Sequence, residues 1–228
     1  RADSSDMQRR AHIRLQLAGE YYQQGQYQIA LDEVRQALQA APNSADAYSM
    51  AALIYMDMGD AQMAEENFAR AMRLTPQDPD LNNNYGWFLC QNGRPAQAIP
   101  YFDAALRNRA YQTPARAMTN AGVCSLKVNN LAAAEKYLNE AFRLDPSSVT
   151  TSVQLARLYY ERGDYRNARF YAGRATVSEQ VTPEALWTAI KIERRLGDRA
   201  AEISLVTQLG RRFPNSAEFA AYQRGAFN

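Results

Sequence analysis

Histidine occurs once in this chain, as His12, and lysine only three times, as Lys127, Lys136 and Lys191. A single imidazole excludes a histidine-based metal cluster and a histidine-dependent nucleophilic triad. There is no phosphate-cradling glycine loop and no Cys-x-x-Cys; the two cysteines, Cys90 and Cys124, stand far apart. No apolar run reaches 18 residues, so no segment is long enough to span a bilayer as a helix. A net charge of +2 gives no electrostatic reason to expect nucleic acid. Acids such as Glu65, Glu66, Glu179, Glu184 and Glu193 read as solvated helix faces rather than acid–base pairs. An enzyme is therefore not expected, and neither a cofactor nor a metal. The first methionine is Met7, so the start at Arg1 reads as a processed or trimmed form, with any targeting peptide lost from view. The polar stretch 1–10 reads as an N-terminal tail or a helix approach.

What the chain does contain is a period. Gly25, Gly59, Gly93, Asn129, Gly163 and Gly197 follow one another at steps of 34, 34, 36, 34 and 34 residues. Each lies in the same apolar scaffold, clearest around Gly59, with Tyr48, Ala51, Ala52, Tyr55, Ala64, Phe68, Ala71 and Pro76. This is the tetratricopeptide pattern, a helix–turn–helix unit of about 34 residues. It predicts an all-α, right-handed superhelical solenoid of six tetratricopeptide repeats with a short C-terminal capping helix. The boundaries are 11–44, 45–78, 79–114, 115–148, 149–182 and 183–216, with the cap at 217–228 and the whole of 11–228 a single repeat domain.

Each signature position has a physical role. Ala18, Ala52, Gly86, Gly122 and Ala156 on the first helices let two helices of a pair approach closely. Ala30, Ala64, Ala98, Ala134 and Ala168 do the same from the second helices. The recurring glycines end the first helix in a left-handed turn, and Asn129 is the next most tolerant residue there. Pro42, Pro76, Pro146 and Pro214 stop the second helices. Glu202 in place of the signature alanine marks the sixth repeat as terminal.

In tetratricopeptide arrays the first helix of each pair lines a concave surface. Transferring the lining positions predicts a partner-binding groove at Leu53, Met56, Asn83, Trp87, Gln91, Thr119, Val123, Leu126, Arg157 and Tyr160. Val153, Trp187, Lys191, Arg194 and Arg195 fall in the same rows. Trp87 is the leading anchor, because large aromatics dominate interface hot spots. A co-chaperone carboxylate clamp needs lysine and asparagine at positions 5 and 9 of a repeat. The pairs found are Leu15/Gly19, Ser49/Leu53, Asn83/Trp87, Thr119/Val123, Val153/Arg157 and Trp187/Lys191, so the clamp is excluded. Cys90 and Cys124 lie on first helices of adjacent repeats. Spacing leaves two readings open, buried free thiols or a bridge.

The segment Leu81–Cys90 (LNNNYGWFLC), the following QNGR, and Asn120–Leu126 (NAGVCSL) resemble the type IV pilus biogenesis lipoproteins of the PilW/PilF family. So does the two-residue expansion with Thr113 and Pro114 between them. The resemblance covers essentially the whole chain. It implies a monomeric, non-enzymatic outer-membrane pilotin on the periplasmic face, held by a lipidated N-terminal cysteine upstream of this sequence. Its partner would be a secretin subunit or another pilus-assembly component, and the neisserial branch would also support fibre stability. The resemblance implies, too, that Cys90 and Cys124 form a disulfide. The competing reading is a cytoplasmic tetratricopeptide adaptor that takes a peptide or helix in its groove.

Overall fold

Six residues in the left-handed backbone region punctuate the chain at the repeat period. They are Gly25, Gly59, Gly93, Gly163 and Gly197, with φ between 74° and 81°, and Asn129 at φ 58°. Asparagine at that place confirms the register, since a β-branched residue would be strained there. The computed structural model describes residues 2–228, with side chains from Ser4 onward. Among these residues it contains thirteen α-helices and no strand.

The chain divides into two compact units, Arg1–Gln112 and Thr113–Asn228. The repeat register alone predicts one domain over 11–228; the division falls at the 36-residue step, where the period slips. The first unit holds α1 (Ala2–Gln23), α2 (Tyr27–Ala40), α3 (Ala45–Asp57), α4 (Ala61–Leu74), α5 (Pro79–Gln91) and α6 (Pro95–Arg107). The second holds α7 (Pro114–Lys127), α8 (Leu131–Leu144), α9 (Val149–Glu161), α10 (Tyr165–Thr176), α11 (Pro183–Leu196), α12 (Arg199–Arg212) and α13 (Ala217–Gln223). Helix α1 already runs from Ala2, so from there on the stretch read as a polar tail or helix approach is helical.

Most of the helix starts are set by side chains. Ser44, Asp78, Ser148, Thr182 and Ser216 accept hydrogen bonds from backbone N–H groups at the starts of α3, α5, α9, α11 and α13. Asp60, Asn130, Asp164 and Asp198 do so for α4, α8, α10 and α12. Each satisfies an N–H that the helix cannot. Helices α2, α4, α8 and α12 end two residues before Pro42, Pro76, Pro146 and Pro214, because the residue ahead of a proline is pushed out of helical geometry.

Close approach of paired helices rests on small residues. Ala18, Ala30, Ala52, Ala64, Ala98, Ala134, Ala156 and Ala168 are fully buried. At Gly86 a β-carbon would come within 2.9 Å of the Phe102 ring, and at Gly122 within 2.5 Å of Leu138 Cγ. Large side chains fill what remains. In the first unit Tyr21 and Tyr55 pack on the cluster of Leu31, Val34 and Ile54. In the second, Tyr159 and Tyr171 pack beside Leu138, Leu155 and Leu158. The stretch after α6 adds an element the repeat pattern does not carry: Tyr111, in the expanded connection, is buried. The sixth repeat closes thinly, with Leu209 the buried residue of α12. Phe219 of α13 lies where a β-carbon on Gly210 would meet it at 2.9 Å, so the capping helix seats on α12.

Candidate partner-binding surface

In the first unit the side chains expected to face a partner come from α3 and α5. Leu53 and Met56 are half-buried on α3, Trp87 is half-buried on α5, and Gln91 one turn later is exposed. Asn83, one turn before Trp87, is only 2 % exposed and lies beneath the surface. Its neighbour Asn82 is buried as well and donates its amide to the carbonyls of Pro76 and Asp78, at 3.0 and 2.8 Å. The asparagine run thus fixes the start of α5 as much as it faces anything. Trp87 and Gln91 remain the accessible pair.

Helix α5, which carries Trp87, is tied to its neighbours by aromatic and polar contacts. Phe68, Tyr85, Phe88 and Tyr101 form an aromatic cluster with centroid separations of 4.8 to 6.2 Å, spanning α4, α5 and α6. Tyr85 donates to Glu65 at 2.8 Å, and Arg94 donates to the other oxygen of Glu65 at 2.6 Å. Burial, and next the hydrogen bond to Glu65, push the Tyr85 phenol well above its ordinary range. Glu65 is therefore a link between α4 and the α5–α6 region, not the solvated acid its sequence context suggests. Between α1 and α3, Tyr22 donates to Asp57 at 2.5 Å, and burial followed by that bond raises its pKa likewise.

In the second unit the expected residues come from α7 and α9. Thr119 is buried; its hydroxyl donates to the Ala115 carbonyl at 2.9 Å and lies 2.8 Å from the Thr151 hydroxyl on α9. It serves helix packing. Val123 and Leu126 are half-buried, Tyr160 is half-buried, and Arg157 is exposed. Arg157 pairs with Glu184 of α11 at 3.1 Å. Two links again join successive repeats. Glu135 accepts from Tyr159 at 3.2 Å and from Arg162 at 2.5 Å, and the Arg162 bond is the main cause of its lowered pKa. Arg169 grips both oxygens of Glu193, at 2.9 and 2.6 Å. Glu193 is 8 % exposed, where the sequence suggests an ordinary surface acid.

Trp187 and Lys191 both stand in the lining register, but periodicity alone does not mark them as a functional pair. Lys191 Nζ lies 5.7 Å from the Tyr160 ring centroid and 5.6 Å from that of Trp187. Cys90 on α5 and Cys124 on α7 are each buried, and neither is free: both are disulfide-bonded. Among the described residues no group of three His, Cys, Asp or Glu side chains is placed to hold a metal ion, and no helix is long and apolar enough to cross a membrane.

Comparison with known proteins adds a family and relatives. The family model of the tetratricopeptide repeat matches residues 15–79, 49–113 and 89–149. The type IV pilus assembly protein PilF of Pseudomonas aeruginosa is 28 % identical over 218 residues, covering 96 % of this chain and 86 % of that protein. The crystal structure of PilW, a widely conserved type IV pilus biogenesis factor, superposes with a TM-score of 0.86 at 32 % identity, covering 93 % of this chain and 98 % of that one. The structure of Pseudomonas aeruginosa PilF gives 0.84 at 27 % identity, with 96 % and 99 % covered.

Proposed function

The chain belongs to the tetratricopeptide repeat family, and on that premise we propose that it is a non-enzymatic scaffold of type IV pilus biogenesis that binds a protein component of the assembly machinery. Similarity to PilF and PilW along nearly the whole chain supports the pilus assignment. The finer reading is a pilotin: an assembly factor for the secretin pore, acting at the periplasmic face of the outer membrane through a lipid anchor and contributing to fibre stability. The observation that carries binding is Trp87. A tryptophan left partly open beside exposed Gln91, with Leu53 and Met56 also partly open in the same unit, is the chemistry of an interface anchor.

Trp87→Ala tests this. The variant should accumulate to wild-type levels yet lose most secretin multimers and surface pili, both counted in cells against an unaltered control. Normal multimers and normal piliation would sink the reading. Asn83→Ala is a poor probe by comparison, because Asn83 is buried and its loss perturbs α5 itself.

The cysteines bear on the compartment. Oxidised cysteines persist in the periplasm and are rare where glutathione keeps thiols reduced. We propose that Cys90 and Cys124 are oxidised in the native protein with a structural role, since both are buried. Thiol titration of denatured protein should find none free before reduction and both after it. Two titratable thiols without reductant would contradict an envelope protein of this kind.

A further inference from the structure

The last residues of the second unit turn back onto its own lining surface. Gly225 adopts a left-handed conformation at φ 70°, and Ala226 N–H bonds the Ala221 carbonyl at 2.9 Å. The turn sends Phe227 onto Trp187, with ring centroids 5.6 Å apart and planes 27° from parallel. Arg194 covers the Phe227 ring at 3.9 Å, and Tyr222 meets its edge at 5.9 Å. On the same tryptophan Lys191 forms its second cation–π contact.

Two features set this contact apart from a finished core. Phe227 is only partly buried, so an aromatic ring sits on a tryptophan and an arginine without being sealed. Lys191 makes no ion pair among the described residues, although it is half-buried. The charged groups around it are Arg157, which repels it, and Glu161 and Glu184, which attract it. Glu184 is already engaged by Arg157, and Glu202 holds Arg194. Desolvation weighs most on the Lys191 ammonium and lowers its pKa. An ammonium held against two aromatic faces, with no ion pair of its own, is chemically suited to one carboxylate.

We propose that the α9–α11 face of the second unit is a docking site for a partner segment bearing an aromatic side chain with a carboxylate beside it, and that Phe227 occupies the aromatic half of that site as a displaceable plug. The partner's ring takes the place of Phe227 between Trp187 and Arg194, and its carboxylate meets Lys191. This proposal concerns residues of the second unit and does not depend on the pilus assignment, so cell-based loss at Trp87 and peptide binding at Trp187 can fail independently.

The test is fluorescence anisotropy of a labelled peptide, Gly-Asp-Phe-Asp-Gly, titrated with the full chain. If the plugged form holds about nine-tenths of the population, Phe227→Ala should tighten binding about tenfold, because the competent fraction sets the apparent affinity. Lys191→Met keeps the bulk and removes the charge, and should weaken binding about fivefold or more. The same peptide with lysines flanking the phenylalanine should bind at least about tenfold more weakly. Thermal melts confirm that the variants are folded. Unchanged affinity in Phe227→Ala removes the plug. Unchanged affinity in Lys191→Met, or equal binding of the lysine-flanked peptide, removes the acidic partner. No saturable binding by either wild type or Phe227→Ala up to about 1 mM, the range of weak peptide sites, overturns the site altogether.

Discussion

A methyl group decides how closely two helices of a repeat can pack. At Gly122 an added β-carbon would sit 2.5 Å from Leu138 Cγ, and Leu138 is fully buried. Leu138 cannot withdraw without opening its own cluster, so Gly122→Ala should cost about 1–3 kcal/mol as an overpacked core. Gly173 lies inside α10 with nothing within 4 Å of its would-be β-carbon. There, Gly173→Ala should raise stability by about 0.5–1 kcal/mol through helix propensity alone. Denaturant midpoints for both variants check the pair, and two shifts of the same sign would contradict it. The sequence makes the small-residue row visible, because a glycine or alanine returns at the same place in each repeat. It does not reveal depth. Asn83 and Thr119 occupy lining register, yet both are buried, because register specifies a helix face and not how far neighbouring helices cover it.

Between elements, successive repeats are joined by polar links as well as by apolar contact. Glu65 receives Tyr85 and Arg94, Glu135 receives Tyr159 and Arg162, and Arg169 reaches Glu193. Glu65, Glu135 and Arg169 are the same position of the second helix in three repeats, and each looks forward to the next repeat. Periodicity reveals each helix but not which polar residues meet across repeats, since the partners lie 20–29 residues apart. That is why Glu65 and Glu193 read as surface acids in the sequence. Among these acids Glu193 is the most covered, and Arg169 holds it with two charge-assisted bonds. Glu193→Ala should therefore cost about 1–2 kcal/mol, less than a fully buried pair because Arg169 stays half in water. Glu140→Ala removes the exposed Glu140–Arg143 pair within α8 and should leave the denaturation midpoint unmoved. An equal loss in the two variants would show that cross-repeat geometry adds nothing.

On the scale of the whole molecule, the alkaline response to folding among the described residues rests on four tyrosines and one lysine. Tyr22, Tyr85, Tyr159 and Tyr171 all have pKa values raised by burial first, with nearby carboxylates adding to it. A phenol whose pKa is higher folded than unfolded binds its proton more tightly in the native state. Its stabilising contribution is complete below the unfolded value of about 10 and is lost as pH rises toward the folded one. Lys191 works in the opposite direction. Its lowered pKa is a penalty on the folded state that lifts as the ammonium deprotonates. Four phenols against one amine make the net effect a fall in stability above about pH 10. On the acid side Glu135, its pKa lowered chiefly by Arg162, contributes fully above about pH 4.3 and loses that contribution as pH falls further. Denaturant midpoints measured from pH 3 to about pH 11.5 should thus form a plateau with two falling edges. Tyr85→Phe isolates the alkaline edge. It removes one raised phenol while Arg94 still holds Glu65, so its loss at pH 7 should exceed its loss above pH 11, where the wild-type phenol has begun to pay for ionisation. Parallel wild-type and Tyr85→Phe curves across that range would mean that the Tyr85–Glu65 bond does not couple proton binding to folding.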